Sequence, residues 1–210
     1  MAASYILKIE NLAFERNDRL QFEPVSFELN PGEALHIEGA NGAGKTTLFQ
    51  LLIKLLQPFA GNLYFRGQPF SQCHYEYLSD ILFIGHQSGV KAALTVEENL
   101  RWMSPDNTSA DSIASALQSV GLEHYANIPC YRLSAGQHRR VALARLITAQ
   151  ASLWYLDEPL AALDKQGVSF IESCMQNHLD QGGAIVFSSH QDLVNINAQS
   201  LRLHPCREVA

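Results

Sequence analysis

The sequence lacks what a membrane-spanning or secreted protein would need. No apolar run approaches the ~20 residues that a spanning helix requires. The stretch from Met1 to Lys8 has no basic segment followed by a long apolar one, so no signal peptide is expected. Cysteine is sparse and scattered: Cys73, Cys130, Cys174 and Cys206 form no C-x-x-C pair, and all four are expected as reduced, mostly buried thiols. Positive charge is short as well. Fifteen Lys and Arg stand against 21 Asp and Glu, a formal net charge of −6, which argues against a nucleic-acid partner. There is no internal repeat and no low-complexity linker. What remains is an ordinary globular composition, 47% hydrophobic and 17% charged, in 210 residues, enough for one domain with an inserted lobe.

The chain is organised around Gly39, Ala40, Asn41, Gly42, Ala43, Gly44, Lys45, Thr46 and Thr47, which fit the phosphate-loop pattern G-x-x-x-x-G-K-[ST]. At average residue usage, with glycine near 7%, the pattern arises by chance in roughly one chain of this length in a hundred. Its surroundings strengthen it. The short apolar run Ala34–Glu38 precedes it, entered through Pro31-Gly32. Leu48, Leu51, Leu52, Leu55 and Leu56 follow at helical spacing, and Pro58 and Gly61 are expected to end that helix. Glycines let successive backbone N–H groups point into one concavity that opens on a helix N-terminus, where a phosphate is favoured. Lys45 would then reach the β- and γ-phosphates of a nucleotide, and Thr46 would offer its hydroxyl to Mg²⁺.

The rest reads as strands alternating with helices. Tyr5 to Glu10, Leu20 to Leu29 and Asn62 to Phe65 predict a small antiparallel lobe in front of the core. Ile81 to Ile84, Leu153 to Leu156 and Ala184 to Phe187 are continuous apolar runs, as buried parallel strands require. Between them, Thr95 to Met103 reads as a helix with a Thr95/Glu98 capping box, and Ala110 to Val120 as a second helix closed by Gly121. Ser88 to Pro129 is therefore mainly helical and interrupts the strand pattern. A strong helical pattern runs on through Val141, Leu143, Ala144, Leu146 and Ile147, and another helix is expected from Lys165 to Asp180.

In open α/β sheets ligands bind beyond the carboxyl ends of the strands. Four groups leave strands at that edge: the phosphate loop, Gln87, Asp157 with Glu158, and His190. Asp157 would hold Mg²⁺ opposite Thr46, and Glu158 would orient or deprotonate the water attacking the γ-phosphate. His190 fits a γ-phosphate sensor, and the Gln87 amide could contact Mg²⁺ or the attacking water. Leu133-Ser134-Ala135-Gly136-Gln137 opens a helix and makes a second anion site from the Ser134 hydroxyl and free backbone N–H groups.

Taken in order, the phosphate loop, Gln87, Leu133 to Gln137, Leu153 to Glu158, Ala162-Leu163-Asp164 and His190 resemble the motif set of ABC-type ATPase subunits over nearly the whole chain. The resemblance implies an α/β P-loop NTPase of that type, with a parallel core sheet, a small N-terminal antiparallel β lobe and an inserted helical subdomain. It implies one domain over 1–210, with the nucleotide-binding core in 1–87 and 146–210 and the helical subdomain in 88–145. It also implies ATP and Mg²⁺ as ligands, and a head-to-tail homodimer. Ser134, Gly136 and Gln137 of one subunit would there meet the γ-phosphate held by the other, with Asp164 bridging the sites. Two departures from the family pattern stand out: Ala135 where a second glycine is usual, and Arg16 (with Phe14 as the fallback) where an adenine-stacking aromatic is usual.

The phrases Ile37 to Leu48, Gly85 to Lys91 with Leu94-Thr95 and Glu98 to Leu100, and Leu133 to Leu146 are similar to ATP-binding subunits of the bacterial cytochrome c maturation system, of haem-exporter type. That resemblance implies an integral membrane partner, indirect dealings with haem-handling proteins, and a peripheral place on the cytoplasmic face of the inner membrane. The chain itself has no C-x-x-C-H and its eight histidines are scattered, so haem binding by this subunit is not expected. Ser88 to Leu94 is the segment expected to touch the membrane partner.

Overall fold

The computed structural model describes residues 4–161, 163–191, 193 and 195–206. Two sheets carry it. The first is antiparallel, in the order β2 (Val25–Leu29), β1 (Leu7–Ala13), β4 (Ala60–Phe65) and β5 (Gln68–Pro69). Leu7 sits opposite both Leu29 and Phe65, so one apolar row crosses the lobe. The second sheet is parallel, in the order β6 (Ile81–Ile84), β7 (Leu153–Asp157), β8 (Ala184–Ser188), β3 (Ala34–Glu38) and β9 (Ala198–Arg202). Every residue of β7 and β8 is buried, as expected for strands covered on both faces.

The two faces divide along the pleat. Leu153 and Tyr155 point with Val186 into a core shared with the lobe and with α1 (Lys45–Leu52). Trp154 and Leu156 point the other way with Ile185 and Phe187, against α7 (Lys165–Asp180) and α5 (Ala135–Leu143). A third cluster lies outside the sheet. Val96 and Leu100 of α3 (Val96–Met103), Ile113 and Leu117 of α4 (Ala110–Ser119), and Val141 of α5 pack together there. Helix α5 thus feeds two cores, with Val141 in the helical cluster and its neighbours Ala142 and Leu143 against the sheet.

The predicted capping box is present: Thr95 Oγ1 accepts from the Glu98 N–H, and Glu98 Oε2 accepts from the Thr95 N–H. The predicted α7 boundaries match the structure. Elsewhere the expectations need correction. Helix α1 stops at Leu52, well before Pro58, and Leu55 is 69% exposed. Lys54 takes a left-handed φ of 62°; its N–H reaches the Leu51 carbonyl and that of Leu55 reaches Gln50. This is a Schellman ending made without glycine. The helical pattern through Ile147 is split at Ala144, and a separate short helix, α6, covers Arg145–Thr148. Ile147 is 38% exposed rather than packed in the core. The sequence pattern does not predict α2 (Phe70–Ser79), β9 or the two-residue β5. All four thiols are free; Cys73 and Cys130 are buried, Cys174 and Cys206 half-buried.

Helix α2 is mostly exposed, Tyr75 and Leu78 included, and its two buried side chains are Cys73 and Tyr77. The Tyr77 hydroxyl donates to the Leu52 carbonyl at the end of α1 (2.7 Å) and lies 2.6 Å from the Tyr155 hydroxyl on β7. Tyr77 therefore ties the lobe's helix to both the phosphate-loop helix and the central strand. Replacing Tyr77 with Phe leaves the Tyr155 hydroxyl buried and unpaired, which should lower stability by about 1–3 kcal/mol. A urea unfolding curve checks this, and a loss below about 0.5 kcal/mol, within the range of an ordinary surface substitution, would contradict the role given to Tyr77.

Candidate active site

The loop from Gly39 to Gly44 joins β3 to α1. Gly44 caps α1 with φ 101°, and a Cβ placed there would come within 2.7 Å of the wholly buried Phe22 ring. The lobe thus braces the loop from below, and only glycine fits both the conformation and the gap. Lys45 Nζ donates to the Gly39 carbonyl across the loop at 2.7 Å. The loop opens on a cavity of about 490 Å³, walled by Lys45, Thr46, Asp157, Glu158 and His190 among others. Of the residues expected at the carboxyl edge of the sheet, the phosphate loop, Asp157, Glu158 and His190 share this space, and Gln87 does not line it.

Asp157 ends β7 and is 2% exposed. Its Oδ1 accepts from Ser188 Oγ (2.8 Å) at the end of β8, and its Oδ2 accepts from Thr46 Oγ1 (3.0 Å) at the start of α1. One carboxylate thereby links three elements. Glu158 follows with φ 53°, a left-handed conformation that costs a glutamate on the order of 1–3 kcal/mol. It is held from both sides. Its N–H donates to Ser188, with the carbonyl at 3.2 Å and Oγ at 3.1 Å, and its own carbonyl accepts from the Arg139 guanidinium at 2.7 Å. The result aims the carboxylate into the cavity. Oε2 accepts from the His190 N–H (3.2 Å), while Oε1 lies 3.5 Å from His190 Nε2 and is buried without a hydrogen-bond partner.

Gln87 looks into an adjoining cavity of about 370 Å³ that shares Thr46, His86 and Asp157 with the first. His86, which sequence reasoning passed over for its neighbour, lines both. Arg139 was missed too. It is 6% exposed, and burial pushes its pKa down while the Asp157 and Glu158 carboxylates pull it back. It falls in the phrase Leu133 to Leu146, but nothing there gives it a role, because its partners are backbone carbonyls distant in the chain.

Ser134 and Gln137 cap α5 reciprocally: Ser134 Oγ accepts from the Gln137 N–H, and Gln137 Oε1 accepts from the Ser134 N–H. With Gly136 they line a separate cavity of about 470 Å³ that also holds Arg140 and Asp164, whose side chains pair at 3.0 Å. None of the described residues around this cavity lines the phosphate-loop cavity. Of the motif Ala162-Leu163-Asp164, Ala162 lies outside the described residues.

Arg16 sits at the corner of a tight hairpin. Arg16 and Arg19 exchange backbone hydrogen bonds, with Asn17 and Asp18 both at positive φ, which is a type I′ turn. Gln21, on the returning arm, is the residue that lines the phosphate-loop cavity. Phe14 packs half-buried against the lobe core.

Residues 22–161 match the family model described as "ABC transporter". The chain is 47% identical over 189 residues to the cytochrome c biogenesis ATP-binding export protein CcmA of Pseudomonas putida, covering 89% of this chain and 90% of that one. It is 44% identical over 197 residues to the protein of the same description from Escherichia coli O157:H7, covering 94% of each. Among solved structures, a dimeric ATP-binding cassette in a post-hydrolysis state with ADP and Pi superposes with a TM-score of 0.80, over 94% of each chain at 22% identity. An ATP binding subunit of an ABC transporter gives 0.83 over 95% of this chain and 86% of that one, at 22% identity. These structures share the fold. The coverage and identity of the sequence relatives establish more: the chain belongs to the ABC transporter ATPase family, among the cytochrome c biogenesis ATP-binding export proteins.

Proposed function

We propose that this chain hydrolyses ATP as the motor subunit of a membrane ABC complex used in c-type cytochrome biogenesis. The observation that carries the chemistry is the convergence of Lys45, Thr46, Asp157, Glu158 and His190 on one cavity at the carboxyl edge of the parallel sheet. The assignment to cytochrome biogenesis rests on the relatives at 44–47% identity over about nine-tenths of the chain.

The loop amides from Ala40 to Thr47 and the N-terminus of α1 receive the phosphates, and Lys45 exchanges its bond to the Gly39 carbonyl for the β- and γ-phosphates. Thr46 Oγ1 and Asp157 Oδ2 are hard oxygen donors held 3.0 Å apart, a donor set that fits Mg²⁺, and Gln87 faces the same two residues from the adjoining cavity. Bound there, Mg²⁺ would neutralise phosphate charge. The Glu158 carboxylate, on the cavity wall beside His190, accepts a proton from the attacking water. His190 steadies Glu158 through its backbone N–H and turns its half-exposed ring toward the γ-phosphate.

Ser134, Gly136 and Gln137 lie on a cavity separate from the phosphate loop, which supports their meeting the γ-phosphate of a second copy rather than their own. The Ser134 hydroxyl, Gly136 and the free amides of α5 supply that contact, and the Ser134–Gln137 box holds the helix start in shape. Arg16 would reach the adenine from the hairpin tip, beside Gln21. The segment 88–145 acts as a helical subdomain on a core of 1–87 and 146–210, and carries closure from the ATP site to the membrane partner.

The partner-facing element is the loop after Gln87. Asn99, wholly buried, holds it from beneath: its Nδ2 donates to the carbonyls of Lys91, Leu94 and Thr95, and its Oδ1 accepts from the Lys91 N–H. Above this frame Lys91 stands exposed, 5.5 Å from the centre of the exposed Trp102 ring. A rigid loop bearing an exposed cation and an aromatic suits docking to an integral subunit at the cytoplasmic face of the inner membrane. Among the described residues no helix is long and apolar enough to cross a membrane.

Two outcomes test this reading. A deletion strain should lose covalently attached haem in its c-type cytochromes, restored by the wild-type chain and not by Glu158→Gln. Normal haem staining in the deletion would refute the cytochrome assignment. The paired change Lys91→Glu with Leu94→Glu should abolish co-purification with the membrane subunit while ATP binding persists, and intact co-purification would remove the loop from the interface.

A further inference from the structure

The structure assigns to Arg139 a positioning role in ATP hydrolysis: it couples the seating of helix α5 to the backbone that aims Glu158. The assignment rests on the reading of Glu158 as the residue that accepts the water's proton. Arg139 lies on α5, four residues beyond the exposed Ala135 that starts the helix, and its guanidinium is buried. Among the described residues it forms no ion pair, and its hydrogen bonds go to three backbone carbonyls. Nη1 donates to Gly85 (2.6 Å), just after β6 and just before His86 and Gln87. Nη2 donates to Glu158 (2.7 Å) and, more weakly, to Asp157 (3.4 Å), at the end of β7.

These are the two strand ends that supply the active-site side chains from that side of the sheet. Strands β6 and β7 are hydrogen-bonded neighbours only as far as Ile84 and Leu156. Beyond that point the chains part, and the Arg139 guanidinium spans the gap where strand pairing ends. A planar fork can reach carbonyls on both chains at once; an ammonium is a single point and cannot do so with the same geometry. Glu158 adds a second reason. Its left-handed φ of 53° must be imposed from outside, and Arg139 grips its carbonyl while Ser188 grips its N–H. On the same helix, Ser134 and Gly136 face the other cavity, open to solvent. A contact made there moves α5, and the Arg139 side chain is the described link from α5 to the carbonyl of Glu158. Arg139 touches neither cavity by the described linings, so it acts through Glu158 and the Gly85–Gln87 turn rather than on the nucleotide.

The test uses the full chain with its membrane subunit and three variants: Arg139→Lys, Arg139→Gln and, as reference, Glu158→Gln. Both Arg139 variants should lower kcat for ATP at least tenfold while KM for ATP stays near wild type and the chains remain folded at the assay temperature, with Lys retaining more activity than Gln. Should Arg139→Gln fold poorly, Arg139→Lys, which keeps the charge, carries the comparison. The inference is overturned if kcat stays within twofold of wild type in Arg139→Lys and Arg139→Gln. It is equally overturned if their loss of activity follows the unfolded fraction and vanishes on cooling. The reference separates the two claims: hydrolysis persisting in Glu158→Gln refutes the base assignment, whereas an inert Glu158→Gln beside normal Arg139 variants refutes only the coupling.

Discussion

The Asp157 carboxylate, buried at the end of the central strand, is the interaction on which the site depends. An ionised carboxylate taken out of water must be given hydrogen bonds, or it destabilises the fold by several kcal/mol. Asp157 takes them from Ser188 at the end of β8 and Thr46 at the start of α1. Those two bonds fix how the phosphate-loop helix sits against the sheet. Ser188 in turn grips the N–H of Glu158, so the same small network places the Thr46 and Asp157 oxygens and the candidate base. The fully buried strands β7 and β8 supply the rigidity this needs, because their side chains fill two cores and leave the strand ends no freedom to drift. The lobe contributes from below, where Phe22 presses against Gly44 and keeps the loop in its left-handed turn.

Much of this was legible in the sequence, for identifiable reasons. Strands β7 and β8 are unbroken apolar runs, and a strand buried on both faces must be so. The capping box at Thr95 and Glu98, the start of α7 at Lys165 and the phosphate loop are local arrangements that depend on residues within a few positions of one another. What stayed hidden depends on distant partners. Helix α2 shows almost no apolar stripe, since only Cys73 and Tyr77 are buried; it is held by the tyrosine hydroxyl and aromatic edges instead. Strand β9, Ala198–Arg202, has no run of apolar residues and is defined by backbone pairing with β3 along its whole length. The end of α1 at Lys54 carries no glycine to announce a left-handed residue.

The site shows the same division. Lys45, Thr46, Asp157, Glu158 and His190 were readable because strand ends in a parallel sheet converge. His86 and Arg139 were not. His86 is adjacent to a better-known amide, and Arg139 binds carbonyls, which every residue has, so no side-chain pattern points to it. The conformation of Glu158 was equally invisible, because nothing in Asp-Glu-Pro requires a positive φ; the surrounding bonds impose it.

The central claim is that the phosphate loop is half a site, completed by helix α5 of a second copy. The most direct measurement co-expresses two disabled chains with the membrane subunit, one carrying Lys45→Ala and the other Gly136→Asp. Each alone should be inert. In a mixed dimer the phosphate loop of the second chain meets the intact α5 of the first, so one complete site is rebuilt, and ATP hydrolysis should return to about a quarter of wild type after random pairing. A mixture as inert as its components would contradict the account.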